Sequence, residues 1–148
     1  MLCSLFQRLH CAGLFGAGRF SAGPLSDGLF SDGRFSDGPL SDVPLGRLCG
    51  ARSGDKGGAA NVGLWATSPR AYAWLREYLT VERLRDLLTE AADLPIDRYE
   101  LPNLLALNFV IHGLLAPGVS ATTRPDAQAK GLGEYLRSRI VPVPADLL

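Results

Sequence analysis

A chain of 148 residues, of which 47% are hydrophobic, has the size and composition of one folded domain. Its formal net charge is zero with both signs interspersed, which argues against a nucleic-acid partner, and no apolar run is long enough to span a membrane. Its three cysteines show no C-x-x-C spacing, so we expect a reduced, cytoplasmic protein without a metal site.

Residues 1–42 form a low-complexity segment that repeats in units of five. From Gly13 the chain reads GLFGA, GRFSA, GPLSD, GLFSD, GRFSD and GPLSD. Such units can stack into a solenoid, but six of them offer little core, and Pro24 and Pro39 remove backbone donors. The composition favours a disordered extension. An alternative is that the segment is not native and that translation starts near Val43, and in either case we expect residues 43–148 to form the folded domain.

The most specific stretch of the chain is 52–63, Arg-Ser-Gly-Asp-Lys-Gly-Gly-Ala-Ala-Asn-Val-Gly. Apolar runs at 45–51 and 62–66 flank it and predict two strands. Glycines let backbone N–H groups approach one point and Lys56 adds a positive charge, so the loop between these strands can cradle an anion. The same residues also suit an ordinary turn between antiparallel strands.

Two helices are predicted next. Ser68 is a good N-cap with Pro69 at the first helical position, and apolar residues then recur at steps of three and four. Thr80 predicts the N-cap of a second helix, which ends before Pro95. Both helices present one apolar face to a sheet.

Residues 96–101 alternate apolar and polar side chains and predict a half-exposed strand. The run 104–116 fits either a buried helix or a strand, and we favour a strand at its centre with Asn108 and His112 as its buried polar side chains. Residues 118–124 are rich in β-branched side chains and predict a further strand.

Asp126 predicts the N-cap of a last helix, whose inward-facing side chains are Leu132, Tyr135, Leu136 and Ile140. Gly131 and Gly133 weaken this helix and therefore require close packing or a ligand nearby. The tail 141–148 predicts an irregular or edge segment. Together these elements predict a small α+β, ferredoxin-like two-layer sandwich.

Five motifs, in order, carry a resemblance to a known family: Ala-Arg-Ser-Gly-Asp-Lys-Gly (51–57), Ala-Asn-Val-Gly (60–63), Ser-Pro-x-Ala-Tyr-x-Trp-Leu (68–75), Arg-Tyr-Glu-Leu-Pro-Asn (98–103) and Ala-Leu-Asn-Phe-Val (106–110). Together they resemble the C-terminal ferredoxin-fold domain of the AtuA family, named for acyclic terpene utilisation. The resemblance covers nearly all of residues 46–140. In larger members the domain follows a long domain; it also occurs as a separate small protein associated with acyl-CoA carboxylase and with branched-chain or terpenoid catabolism. Family members tend to have Asp-x-Gln-Gly-Lys before the last helix, and Ala129 replaces that glycine here.

The resemblance implies a non-catalytic accessory or interaction subunit in acyl-CoA, terpenoid or branched-chain catabolism. It would dock on a large AtuA-type or acyl-CoA carboxylase subunit, or on a second copy of itself, through its sheet or through residues 52–58. The alternative is a binder of an anionic metabolite such as an acyl-CoA, which could assist catalysis; catalysis by Asp55 or His112 alone ranks third. No cofactor is expected, and the candidate ligand-binding residues are Arg52, Ser53, Gly54, Asp55, Lys56, Gly57, Asn61, Asn103 and Asn108.

Overall fold

The computed structural model describes residues 39–148; residues 1–38, which include nearly all of the five-residue repeats, lie outside this part. The elements in chain order are β1 (Leu40–Pro44), β2 (Cys49–Lys56), β3 (Ala59–Ala66), α1 (Pro69–Tyr78), α2 (Val81–Leu87), β4 (Ile96–Leu101), β5 (Ala106–Ile111), α3 (Leu132–Ser138) and β6 (Ile140–Pro144). Because β1 begins at Leu40, the folded unit starts slightly before Val43. The described part contains no helix with the length and apolar character of a membrane span.

The main sheet has the strand order β2-β3-β5-β4, and all neighbouring strands are antiparallel. Strands β3 and β4 therefore run parallel on either side of β5, with α1 and α2 between them in the chain, which is the split β-α-β unit of ferredoxin-like folds. The edge beside β3 is occupied by β2, which precedes it in the chain. β1 and β6 pair in a separate two-stranded sheet. The expected ferredoxin-like sandwich is confirmed.

One face of the main sheet carries the core. Alternate residues of β3 and β5 point to this face and are fully buried, among them Val62, Leu64, Leu107, Phe109 and Ile111. The buried side chains of the three helices, such as Leu75, Leu84 and Leu136, join the same cluster. The helices therefore cover one face, and in residues 39–148 no helix covers the other.

The predicted starts of α1 and α2 are confirmed. The Ser68 hydroxyl accepts a hydrogen bond from the Ala71 N–H at 3.1 Å, and the Thr80 hydroxyl accepts one from the Arg83 N–H at 3.2 Å. The contact that ends α1 has no local signal in the sequence: the Arg98 guanidinium on β4 donates to the carbonyl oxygens of Arg76 and Leu79 at 2.6 and 3.1 Å. This contact ties the edge strand to the helix layer.

Two expectations for the strands are wrong. The run 45–51 begins as a 3₁₀ turn, Leu45–Arg47, before β2 starts at Cys49. Residues 118–124 form turns and loop. Two other expectations are confirmed, since the centre of 104–116 is the strand β5 and the tail contributes β6, which pairs only with β1.

The last helix differs from its prediction at both ends. Its first residue is Leu132, and Asp126 accepts the N–H groups of Lys130 and Gly131 at 2.9 Å, so this carboxylate closes the preceding turn instead of capping the helix. Tyr135 and Ile140, expected inside, are 45% and 59% exposed. The reason is length, since a helix of seven residues buries only a short stripe.

Ala129 keeps the backbone conformation that a glycine favours. Its φ is +51°, in the left-handed region, and its side chain is only 2% exposed. The Asp126 carboxylate holds the next two N–H groups, which fixes the turn around it. The change from the family's glycine to alanine is therefore accommodated without loss of the turn.

Candidate functional site

The stretch predicted as a loop is mostly strand. β2 extends to Lys56 and pairs it with Ala59 in β3, so only Gly57 and Gly58 form the turn. Gly57 has a φ of +67°, and a positive φ at the first central residue is typical of a type II′ hairpin. The expected loop at 52–58 is therefore wrong, and the plain turn between antiparallel strands is confirmed. Strand N–H groups point alternately to the two sides of the strand, so they do not converge on one anion.

Strand geometry also sends two of the candidates to the helix side. Ser53 and Asp55 follow Cys49 and Ala51 on that face. The Ser53 hydroxyl accepts the Gly133 N–H at 2.8 Å and donates to the Lys130 carbonyl at 3.2 Å. Ser53 thus anchors the start of α3. Asp55 is exposed next to the hairpin end and points away from the face that carries Lys56.

We call the side of the main sheet opposite the helices the open face. Pairing across the four strands places its residues in three rows: Gly50, Trp65, Ala106 and Leu101; Arg52, Gly63, Asn108 and Tyr99; Gly54, Asn61, Val110 and Asp97. Lys56 also lies on the open face of β2, one same-face position beyond the third row. Trp65 and Tyr99 are 37% and 38% exposed, so the open face presents two large aromatic side chains to solvent.

Two of the predicted asparagines meet at the centre of the open face. Asn61 Nδ2 donates to Asn108 Oδ1 at 2.6 Å and to the Phe109 carbonyl at 3.4 Å. Both side chains are half-buried, so Asn108 is less buried than expected. Within residues 39–148, Asn61 Oδ1 and Asn108 Nδ2 make no hydrogen bond, so one acceptor and one donor remain available.

Two candidate cations share this face with the asparagines. Arg52 is separated from Asn108 only by Gly63, and Lys56 lies at the hairpin end of the same strand. Both cations are exposed, and neither has an ion-pair partner in the described part of the chain. Asn103 lies apart, because it belongs to the 3₁₀ turn Pro102–Leu104 at the opposite end of the sheet.

Sequence reasoning missed Asp97 and placed His112 wrongly. His112 was expected in the core, but it follows the end of β5 and its side chain is 48% exposed. Its Nε2 lies 2.8 Å from Asp97 Oδ2, which also accepts a hydrogen bond from the Tyr99 hydroxyl at 3.4 Å. The only available signal was the alternation along β4, which puts Asp97 and Tyr99 on one face.

The Asp97 carboxyl should titrate below its ordinary range. The hydrogen bond from His112 lowers the pKa of Asp97 from 3.8. A lowered folded-state pKa contributes stability above pH 3.8 that is lost as the pH falls through the folded value. In a carboxyl NMR titration, we expect a midpoint below 3.8 for the wild type and a rise towards 3.8 in His112→Ala. An unchanged midpoint in the variant would show that the contact does not exist in solution.

The thiol of Cys49 should be inert. It is 1% exposed and donates to the Leu45 carbonyl at 3.5 Å, and burial raises its pKa to about 12 despite the opposing charge of Arg137. Because the thiolate is the reactive form, we expect iodoacetamide to leave Cys49 unmodified near neutral pH and to label it in denaturant. Peptide mass mapping separates this site from Cys3 and Cys11, and rapid labelling of the folded protein would contradict the burial.

The arrangement is suited to binding. It offers cations, free amide groups and two aromatic rings on a broad strand surface, whereas catalysis usually needs reacting groups gathered in a concave pocket. In the described part of the chain, no three His, Cys, Asp or Glu side chains are grouped so that they could hold a metal ion.

Comparison with known proteins gives one match. The family model of the AtuA ferredoxin-like domain matches residues 43–142, which include all three helices and all four strands of the main sheet. No curated protein and no solved structure matches the chain. Since the family model spans well over half of its residues, the chain belongs to the AtuA ferredoxin-like domain family.

Proposed function

We propose that this chain is a non-catalytic accessory subunit that acts by binding a larger protein through the open face. One observation carries the proposal: within residues 39–148 the helices cover only one face of the main sheet, and the other face leaves Trp65 and Tyr99 37% and 38% exposed. Aromatic residues are enriched among the side chains that dominate protein interfaces. The Asn61–Asn108 pair adds a hydrogen-bond acceptor and a donor to this face. These groups favour a specific partner with complementary polar groups over nonspecific hydrophobic association.

The proposed partner is a large AtuA-type subunit or an acyl-CoA carboxylase subunit. Support comes from the family resemblance, since in larger members the domain follows a long domain, and as a small protein it accompanies acyl-CoA, terpenoid or branched-chain catabolism. This chain would then supply the same domain to the large subunit. Its contribution would be assembly or regulation of the larger enzyme.

Gly54→Glu tests this proposal with little risk to the fold. A Cβ added at Gly54 meets no atom within 4 Å, and its φ is not in the left-handed region, so the new side chain projects from the open face. We expect the wild-type chain, purified from its native host, to carry the large subunit with it and Gly54→Glu to lose it. The control is Glu77→Arg on the exposed side of α1, which should keep the partner. Retention by Gly54→Glu at unchanged melting temperature would refute docking through this face.

A second candidate is the binding of an anionic metabolite. It is favoured by Arg52 and Lys56, two unpaired cations of the described chain on the same face as the asparagine pair. If acyl-CoA binds there, acyl-CoA thioesters raise the melting temperature of the wild type, and Lys56→Ala weakens the shift. Lys130→Ala is a matched control, because Lys130 is the only other lysine of the chain. No shift with the wild type would exclude this function.

A further inference from the structure

We infer that, when no larger partner is bound, the open face packs against the open face of a second copy, about a two-fold axis that runs along the strands between β3 and β5. The inference rests on the proposed function, in which the open face binds protein. It adds that a second copy of the chain occupies this face when the larger partner is absent. Rotation about this axis lays β2 of one copy over β4 of the other, and β3 over β5. Each open-face position then faces a defined position of the second copy.

The first row becomes complementary in size. Gly50 faces Leu101 of the second copy, and Trp65 faces Ala106. The indole of Trp65 already lies over Gly50, since a Cβ added there would be 2.4 Å from the ring. The ring therefore lies flat on β2, where Leu101 of the second copy can cover it. Gly50 makes room for the indole within one copy, and Leu101 of the second copy packs on that ring while the small Ala106 leaves space beside it.

The second row pairs a cation with an aromatic ring. Arg52 faces Tyr99 of the second copy, and guanidinium groups stack favourably on aromatic faces. Gly63 faces Asn108 of the second copy, so the missing side chain leaves room for the amide. Both contacts occur twice because the axis is two-fold.

Charge complementarity selects this axis over its main alternative. The cations of the open face, Arg52 and Lys56, lie on β2, and its carboxylate, Asp97, lies on β4. Laying β2 over β4 brings opposite charges together on both sides of the axis. An axis perpendicular to the strands would lay β2 on β2 and set the cations against each other, which costs binding energy.

The asparagine pair lies beside the proposed axis. In each copy, Asn61 keeps an acceptor and Asn108 keeps a donor that no described residue satisfies. The rotation carries Asn108 of the second copy over β3, the strand of Asn61. The donor of one copy thus approaches the acceptor of the other, and polar groups that an apolar partner would leave unsatisfied are matched.

The size of the face suits a dimer that can exchange. β2 and β3 are eight residues long, and the sheet has four strands. β4 and β5 have six residues each, so at common strand spacings the face is about 19 Å wide and about 20 to 26 Å long. It would bury several hundred Å² per copy, at the lower end of specific interfaces, so we expect a dimer at micromolar concentration that a larger partner can displace.

Sedimentation of the full chain is the first test. We expect the wild type to sediment at twice the chain mass of 15.8 kDa and Gly54→Glu to sediment as a monomer, because the new carboxylate would face Asp97 of the second copy. Glu77→Arg should remain dimeric. A monomeric wild type, or a dimer that resists Gly54→Glu, would overturn the inference. Neither result touches the proposed function, which depends on capture of the large subunit.

A charge exchange tests the axis itself. One variant carries Arg52→Glu and Lys56→Glu, and the other carries Asp97→Lys. Each variant alone sets like charges against each other between β2 and β4, so we expect two monomers. An equal mixture restores opposite charges on both sides of the axis and should form a heterodimer. Failure to form one, or dimers of either variant alone, would rule out the arrangement of β2 over β4.

Discussion

Phe109→Ala should lower the free energy of unfolding by about 3–5 kcal/mol, a large fraction of what a marginally stable domain has. Phe109 is fully buried at the middle of β5, paired with Val62 on one side and Arg98 on the other. Truncation loses the transfer free energy of the ring and leaves a cavity, because two strands and the helix layer hold the surrounding atoms in place.

Val110→Ala is the matched control for this substitution. Val110 is the next residue of β5 and lies half-buried on the open face, so its truncation should cost about 1 kcal/mol and leave no closed cavity. Urea unfolding of both variants, followed by circular dichroism, gives the two values. Equal losses would mean that the two faces of β5 have been assigned wrongly.

Local signals in the sequence were sufficient for α1, α2 and β5. The hydroxyls of Ser68 and Thr80 bind N–H groups only three residues away, so the pattern that predicts these caps lies within one turn. The apolar run around Phe109 is buried in the main sheet as a central strand, which the β-branched residues beside it favoured.

The 52–58 stretch shows how a local pattern can mislead. Glycines around Asp55 and Lys56 fit an anion-binding loop and a hairpin equally well, because both use left-handed glycine and polar neighbours. The strand β3 determines which of the two forms, because it pairs residue by residue with β2 and leaves only Gly57 and Gly58 for the turn. A strand pairing of this length depends on two segments together, so the sequence of either segment alone predicts it poorly.

The open face could not be predicted because it depends on strand order. Asp97 and His112 meet because β4 and β5 are neighbours, and Arg52 lies in the same row as Asn108 because β2 takes the edge beside β3. Four of the nine ligand-binding candidates, Arg52, Lys56, Asn61 and Asn108, place their side chains on this face; Gly54 adds open space there. Asn103 is left at the far end by the same topology.

Gly133→Val should destabilise the protein by about 1–3 kcal/mol, because α3 approaches β2 too closely there for a side chain. A Cβ at this position lies 3.2 Å from Ala51 Cβ and 3.3 Å from Ser53 Oγ, and the Gly133 N–H bonds to the same hydroxyl. Close packing thus accounts for a glycine that weakens the helix. The decisive measurement is a double-mutant cycle with Ala51→Gly, which removes the nearest atom. If the clash is the cause, the pair should cost less than the sum of its single losses in urea unfolding; strict additivity would place the cost in helix propensity instead.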